Sequence, residues 1–306
     1  MRRRLVSRIA IFFWNGAKPV RSDRRKYNIS AMMCMNASEW MDWFLLVAVA
    51  IGLSLTMTGA WFVQRMTGLS GWIDTIWSLS VGLGGIAAAL FAHGVFGRRM
   101  TILVIIAAWA LRLGSHIGTR TKGGGEDPRY AKIMEGWGDS AAWRLFLFLQ
   151  LQALAACVFV FAIYLAATND GTYPSGTDFF AALIAAVALV GEAISDAQLS
   201  QFRKTPQAKT ELCETGLWQY SRHPNYFFEW LFWCSWPLFA VSTSILSLIS
   251  LLAPALMYLL LVHVSGIPPL EEHMLRSRGD KFRALQRRIN AFFPGPQKPE
   301  SRLHGE

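Results

Sequence analysis

Apolar residues in this chain gather into seven runs, at about 41–63, 73–93, 99–118, 143–167, 178–200, 225–242 and 244–265, separated by polar stretches. Each run is close to the roughly 20 residues that a helix needs to cross a bilayer. The hydrocarbon layer holds no water to satisfy backbone N–H and C=O groups, so such a run closes its own hydrogen bonds as a helix. The pattern predicts an all-α, polytopic membrane fold of about seven transmembrane helices. It also predicts a basic, disordered extension over 1–40, one membrane domain over 41–294 and a flexible tail over 295–306.

The connections carry the orientation. TNDGTYPSGT at 168–177 has no Lys or Arg, whereas 119–142, 201–224 and the chain after 266 are rich in both. Cytoplasmic loops hold the positive excess, so these regions and the C-terminus are expected on the cytoplasmic side. With an odd number of spans the basic N-terminus would then face outward, against that rule. A translation start at Met32, Met33, Met35 or Met41 reconciles the two, and the patch IAIFFW makes neither a span nor a clear secretory signal. The expected location is an integral, multi-pass one: the inner membrane of a bacterium or the endoplasmic reticulum of a eukaryote. After Pro268-Pro269, the segment EEHMLRSRGDKFRALQRRINAFFP begins as a helix whose early acids Glu271 and Glu272 oppose the dipole favourably, and Gly279 breaks it. It reads either as a surface helix on anionic headgroups or as a lid over a site.

Composition narrows the chemistry. Hydrophobic residues make up 53% of the 306 and charged residues 16%, and the net charge of +10 sits mostly outside the apolar runs. That distribution fits cytoplasmic loops and anionic lipid rather than nucleic acid. Cys34, Cys157, Cys213 and Cys234 form no CxxC and no near pair, so neither a disulfide framework nor a metal site is expected. The chain contains no HExxH, no GxSxG and no strand-borne GxGxxG, and Gly123-Gly124-Gly125 lacks the Lys of a phosphate loop.

Ionisable groups inside apolar runs are costly and mark function by default. The third run closes with ALRLGSHIGTRTKGGGEDPRY, which sets Arg112, His116 and Arg120 at four-residue spacing on one helix face. Arg112, at membrane depth, needs an acid or a bound anion; Arg120 suits snorkelling equally well. The fifth run ends GEAISDAQLSQFRK, with Glu192, Asp196 and Arg203 on one stripe. Two acids four residues apart repel unless a cation or ligand compensates, although solubilising pairs at a helix end are the plainer account. GLWQYSRHPNYFFEW at 216–230 packs Tyr220, Arg222, His223, Asn225, Tyr226 and Glu229 around a helix start. Pro224 suits that helix's first turn, and its unpaired N–H groups favour an anion such as a phosphate or carboxylate. Asp74, in SGWIDTIWS, is either a first-turn acid or, if buried, a group for substrate binding or proton handling.

These segments also carry a resemblance. GEAISDAQLSQF, CETGLWQYSRHPNYFFEW and the closing IPPLEEHM and INAFFP resemble the bacterial DUF1295 branch of the steroid 5-alpha-reductase superfamily, from about Asp74 to Pro294 and most strongly after Gly191. RHPNY alone is less specific, because isoprenylcysteine methyltransferases and sterol delta-14 and delta-7 reductases carry similar segments; the acidic stripe beside it favours the reductases. The resemblance implies a seven-helix enzyme that binds NADPH in a cytosol-facing cavity and reduces an activated carbon–carbon double bond. By that likeness Asp196, Arg203, Tyr220, Asn225 and Glu229 match cofactor-binding positions, and Glu192 stands where the steroid enzymes have Asn. Those enzymes polarise the enone with a Tyr of the third span and a Glu of the second. Here the third run has no such Tyr, Asp74 lies only near the acid's place, and Leu285 stands where relatives often have Tyr. Steroid specificity does not carry over.

The reading reached is an NADPH-dependent reductase of CH–CH groups acting on a lipophilic enone. Arg112, Arg120, Arg203 and Arg222 would hold phosphates. Asp196, Asn225 and Glu229 would bond the ribose or carboxamide, with Glu192, Tyr220, His223 and Tyr226 completing the cofactor pocket. Asp74, Tyr130 or His116 would donate to the enolate oxygen. One rival is an S-adenosylmethionine-dependent methyltransferase whose cofactor carboxylate lies at the RHPNY helix start; acids such as Glu271 and Glu272 near the C-terminus support it. A non-catalytic lipid-binding protein is the third.

Overall fold

The computed structural model describes residues 37–298 apart from 125 and 243. Ten α-helices follow in chain order: α1 (Ala37–Thr67), α2 (Gly71–Phe91), α3 (Phe96–Gly123), α4 (Pro128–Met134), α5 (Ala141–Ala167), α6 (Gly176–Arg203), α7 (Pro224–Ala240), α8 (Leu252–Tyr258), α9 (Ile267–Arg278) and α10 (Asp280–Arg288). No strand occurs among the described residues. The chain forms two compact units, Met1–Trp43 and Phe44–Glu306. Of the first, only the start of α1 is described, and the site lies wholly in the second. The expected disordered extension and the alternative start therefore fall outside the described residues up to position 36, and α1 begins at Ala37 rather than at 41.

Among the described residues six stretches are long and apolar enough to cross a membrane: Trp40–Thr67, Gly71–Phe91, Phe96–Gly123, Gly138–Ala167, Gly176–Arg203 and Ile245–Arg278. The protein is an integral, multi-pass membrane protein. The run expected at 225–242 folds as α7, a helix of 17 residues that starts at Pro224 and contains Pro237. It is short of the roughly 20 residues of a full span. Its Phe232, Trp233, Trp236 and Phe239 are completely buried, so α7 lies inside the bundle. The run expected at 244–265 is also not one regular helix. It passes from 3₁₀ (Ile245–Leu251) through α8 to a π-helical turn at Leu259–Val264, and Ser265 and Gly266 then lead into α9. π-turns are rare and mark functional walls often enough to notice here, because this one faces the cavity described below.

Small residues bring α2 and α3 together. A Cβ on Gly82 would lie 2.2 Å from the Cβ of Ala110, and one on Gly71 would lie 2.1 Å from the Thr121 hydroxyl. Without a hydrophobic drive between helices in lipid, such close backbone approach supplies the packing. An aromatic centre fills the space between α3, α5 and α7: Trp109 stacks on Phe232 at 5.6 Å, and Phe159 lies 4.3 Å from Trp233. At the opposite end of α3 from His116, Arg98 is only 1% exposed. It donates to Asp178 at 2.7 and 2.9 Å and to the carbonyls of Asn169, Gly171 and Thr172. A buried pair survives only when its other hydrogen-bonding capacity is met, and those carbonyls meet it. This cluster ties the connection at 168–177 to α3 and α6.

Candidate functional site

The helices enclose a cavity of about 500 Å³. Its walls come from the inner ends of α2, α3 and α6, the start of α7, α5, the π-turn and the loop leading into α4. Two chemically different halves meet in it. Leu113, Ile117, Phe148, Leu151, Met257 and Leu260 make an apolar half; Asp74, His116, Arg120, Asp127, Arg129, Asp196, Arg203, His223, Asn225 and Glu229 make a charged one.

The floor is acidic. Glu229 on α7 accepts from the indole N–H of Trp109 at 2.9 Å and of Trp233 at 2.8 Å. Arg112 stands behind the floor, hydrogen-bonded to Asp196 and 2.5 Å from Glu192. Asn225 donates to Asp196 at 3.2 Å, and the His116 ring lies 3.6 Å from the same carboxylate. Arg112 thus has its acidic partners, as a cation buried among helices requires.

A second cluster forms where α4 meets α2. Asp127 caps α4, accepting from the Arg129 backbone N–H at 2.9 Å, and Pro128 takes the first helical position. That local sequence turns Arg129 back into the cavity, where it reaches Asp127 at 2.9 Å and Asp74 at 2.5 Å. Tyr130 donates to Asp74 at 2.7 Å and accepts from Gln152 at 3.1 Å. Arg120 adds a further pair with Asp127 at 2.9 Å. Burial works to raise the Asp127 carboxyl, but Arg129 and Arg120 outweigh it and hold it at about 2. Burial and the Asp74 charge push the Tyr130 phenol well above its ordinary value, so it stays a donor.

The expected residues do not all converge. Asp74, His116, Arg120, Glu192, Asp196, Arg203, His223, Asn225, Tyr226 and Glu229 line the cavity. Tyr130 lies immediately behind Asp74, and Arg112 behind the floor. Tyr220 is 45% exposed and borders an apolar groove on the outer side of α6 and α7 instead. Arg222 and Glu271 pair with each other at 2.7 Å, the His223 ring lies 3.0 Å from the same carboxylate, and Gln286 donates to it at 2.8 Å. This cluster staples the loop before α7 to α9 and α10. Burial lowers the His223 imidazole more than Glu271 raises it. Glu272 is on the outer surface with Lys132 at 2.8 Å and Arg276 at 2.9 Å.

Arg129, Asp127, Gln152 and Trp109 join the site without standing out in the sequence pattern. Asp-Pro at the start of a short helix is a capping signal, and Gln152 is a polar group within an otherwise apolar span; both were readable. That Arg129 would reach Asp74 across 55 positions was not.

The family model for DUF1295, described as a protein of unknown function, matches residues 60–289, and the chain belongs to that family. Neither a curated protein nor a solved structure matched the chain.

Proposed function

We propose that this protein is a membrane-embedded, NADPH-dependent reductase of a carbon–carbon double bond in a lipophilic enone. The observation that carries the reading is the Asp74–Tyr130–Arg129 cluster at the edge of a half-apolar cavity. A reductase needs an electrophile for the oxygen on which negative charge develops, and a methyl transfer does not.

The charged half suits a nicotinamide dinucleotide. Arg203 borders the cavity and is in no ion pair among the described residues, so its guanidinium is available to a phosphate. Asp196 and Asn225 present acceptors and a donor for ribose or amide groups, and Glu229 is held in place by two indoles. The cofactor would supply a hydride. The apolar half would hold the alkene, and Arg129, fixed by Asp74 and Asp127, would stabilise the enolate oxygen. Tyr130 keeps Asp74 oriented. Fixing the alkene against the charged half contributes through orientation.

The acidic, Trp-bordered floor also suits a sulfonium, which keeps S-adenosylmethionine as the second reading. Detergent-solubilised protein titrated by calorimetry with NADPH and with S-adenosylmethionine separates the two. Saturable NADPH binding that Asp196→Ala weakens at least tenfold is expected. Binding of S-adenosylmethionine alone selects the methyltransferase; binding of neither cofactor at millimolar concentration, with a lipid retained, selects a lipid-binding protein.

A further inference from the structure

The cavity floor holds more negative charge than its cations balance. Glu192 is 4% exposed, Asp196 7% and Glu229 6%; among the described residues the one guanidinium in contact with them belongs to Arg112, while Arg203 of α6 acts on Asp196 from further along the wall. The groups facing Glu192 are Arg112 from α3, Asp196 one turn along its own helix α6, and Glu229 from α7; His116 of α3 stands beyond, against Asp196. Three ionised carboxylates in contact with one arginine crowd negative charge into a buried wall around Glu192.

The hydrogen bonds say where a proton would resolve it. Both oxygens of Glu229 already accept, one from each indole. Glu229 therefore needs no proton to satisfy its own oxygens. Arg112 is hydrogen-bonded to Asp196. Its other nitrogen forms an ion pair with Oε1 of Glu192 at 2.5 Å that falls short of a hydrogen bond. Oε2 of Glu192 is buried with no donor at all. The other carboxyl set against Glu192 in this floor is that of Glu229. Two bare carboxylates cannot bond; one proton between them removes both the orphan oxygen and the repulsion.

We propose that Glu192 carries a proton at neutral pH, hydrogen-bonded to Glu229, and that this buried carboxylic acid is the proton donor of the cavity. The donor role rests on the reductase reading; the proton itself does not. In the step, the Glu192 O–H bond breaks and a C–H bond forms at the enolate carbon next to the carbonyl, using the enolate's electron pair. The hydride at the other alkene carbon is the contribution of a dihydronicotinamide. Glu192 is left as a carboxylate and must be reloaded from water. A route is at hand, because a groove of about 360 Å³ between α3 and α6 shares His116 and Asp196 with the cavity and is bordered by Ser115, Thr119 and Ser200.

Infrared spectroscopy of the ligand-free protein in detergent at pH 7 tests the proton directly. A protonated-carboxyl C=O band is expected that shifts in D₂O. It should vanish in Glu192→Gln, and also in Glu229→Gln, whose amide N–H would satisfy Glu192 as a carboxylate. Absence of the band from the wild type, or its persistence in both variants, overturns the proposal whether or not the protein is a reductase. Glu192→Gln replaces one neutral group by another, so its melting temperature should match the wild type, while Glu192→Ala should melt lower. If NADPH-dependent enone reduction is observed, Glu192→Gln should slow turnover at least 100-fold and abolish the solvent deuterium isotope effect. Unchanged turnover with the band lost overturns the donor role alone, and the band present without any reductase activity overturns the reductase reading alone.

Discussion

The indole of Trp109 on α3 donates to Oε2 of Glu229 on α7 at 2.9 Å while its ring stacks flat on Phe232, with an interplanar angle of 8°. One side chain therefore fixes both the packing and the polar floor of the cavity. Trp109→Phe keeps an aromatic ring but removes the donor. A lost hydrogen bond to a buried charged group costs about 1.5–3 kcal/mol. Thermal unfolding in detergent should show a lowered melting temperature, and NADPH affinity should fall about tenfold by calorimetry. An unchanged affinity would separate Glu229 from cofactor binding.

Tyr130→Phe removes the hydroxyl that holds Asp74 and that Gln152 supports. Asp74 then turns more towards Arg129, which weakens the latter as an electrophile. Enone reduction should slow by about 10–100-fold, in line with roughly 1.5–3 kcal/mol for such a bond. Substrate-independent NADPH binding should be retained, so comparing turnover with cofactor Kd in the same preparation checks the assignment.

Asp127 supplies a pH test of the α4 cap. Its carboxyl is held at about 2 in the folded protein, against about 3.9 for an ordinary aspartate. A depressed value contributes stability above the unfolded pKa, and that contribution is lost as pH falls through the folded one. The difference in melting temperature between wild type and Asp127→Asn should be constant above about pH 4 and close towards pH 2. At neutral pH it corresponds to roughly 2 kcal/mol. A gap that stays open at pH 2 would place the cap's contribution in geometry rather than charge.

The Arg98–Asp178 pair, with side chains 2% and 4% exposed, lies far from the cavity. Removing one partner strands the other as a buried charge, at about 3–5 kcal/mol. Arg98→Met should lower the melting temperature strongly and leave cofactor affinity per folded molecule unchanged. The double variant Arg98→Met/Asp178→Leu should recover much of the loss, because it leaves no buried charge unpaired.

Much of this protein was legible along the chain because a bilayer imposes its demands locally. Length and apolarity decide a membrane helix within one segment, so the spans through 200 were readable to within a few residues. The same logic marked Arg112, Asp196 and Glu229, since a charge at membrane depth has to be compensated wherever it occurs. Helix α7 and the π-turn were less legible. Both depend on packing: α7 is short because it is buried among aromatic rings rather than stretched between two interfaces, and the π-turn lies where the chain rounds the cavity. The partners were the least legible of all. Arg222 and Glu271 looked like ligand groups in sequence, yet they neutralise each other over 49 positions, while Arg129, unremarkable in sequence at the start of α4, reaches Asp74. A hydrogen bond is decided within about 3 Å, and only the folded backbone sets which distant groups come that close. The sign and spacing of the charges follow from the chain; their pairing, and with it the unbalanced proton site at Glu192 and Glu229, follows from the fold.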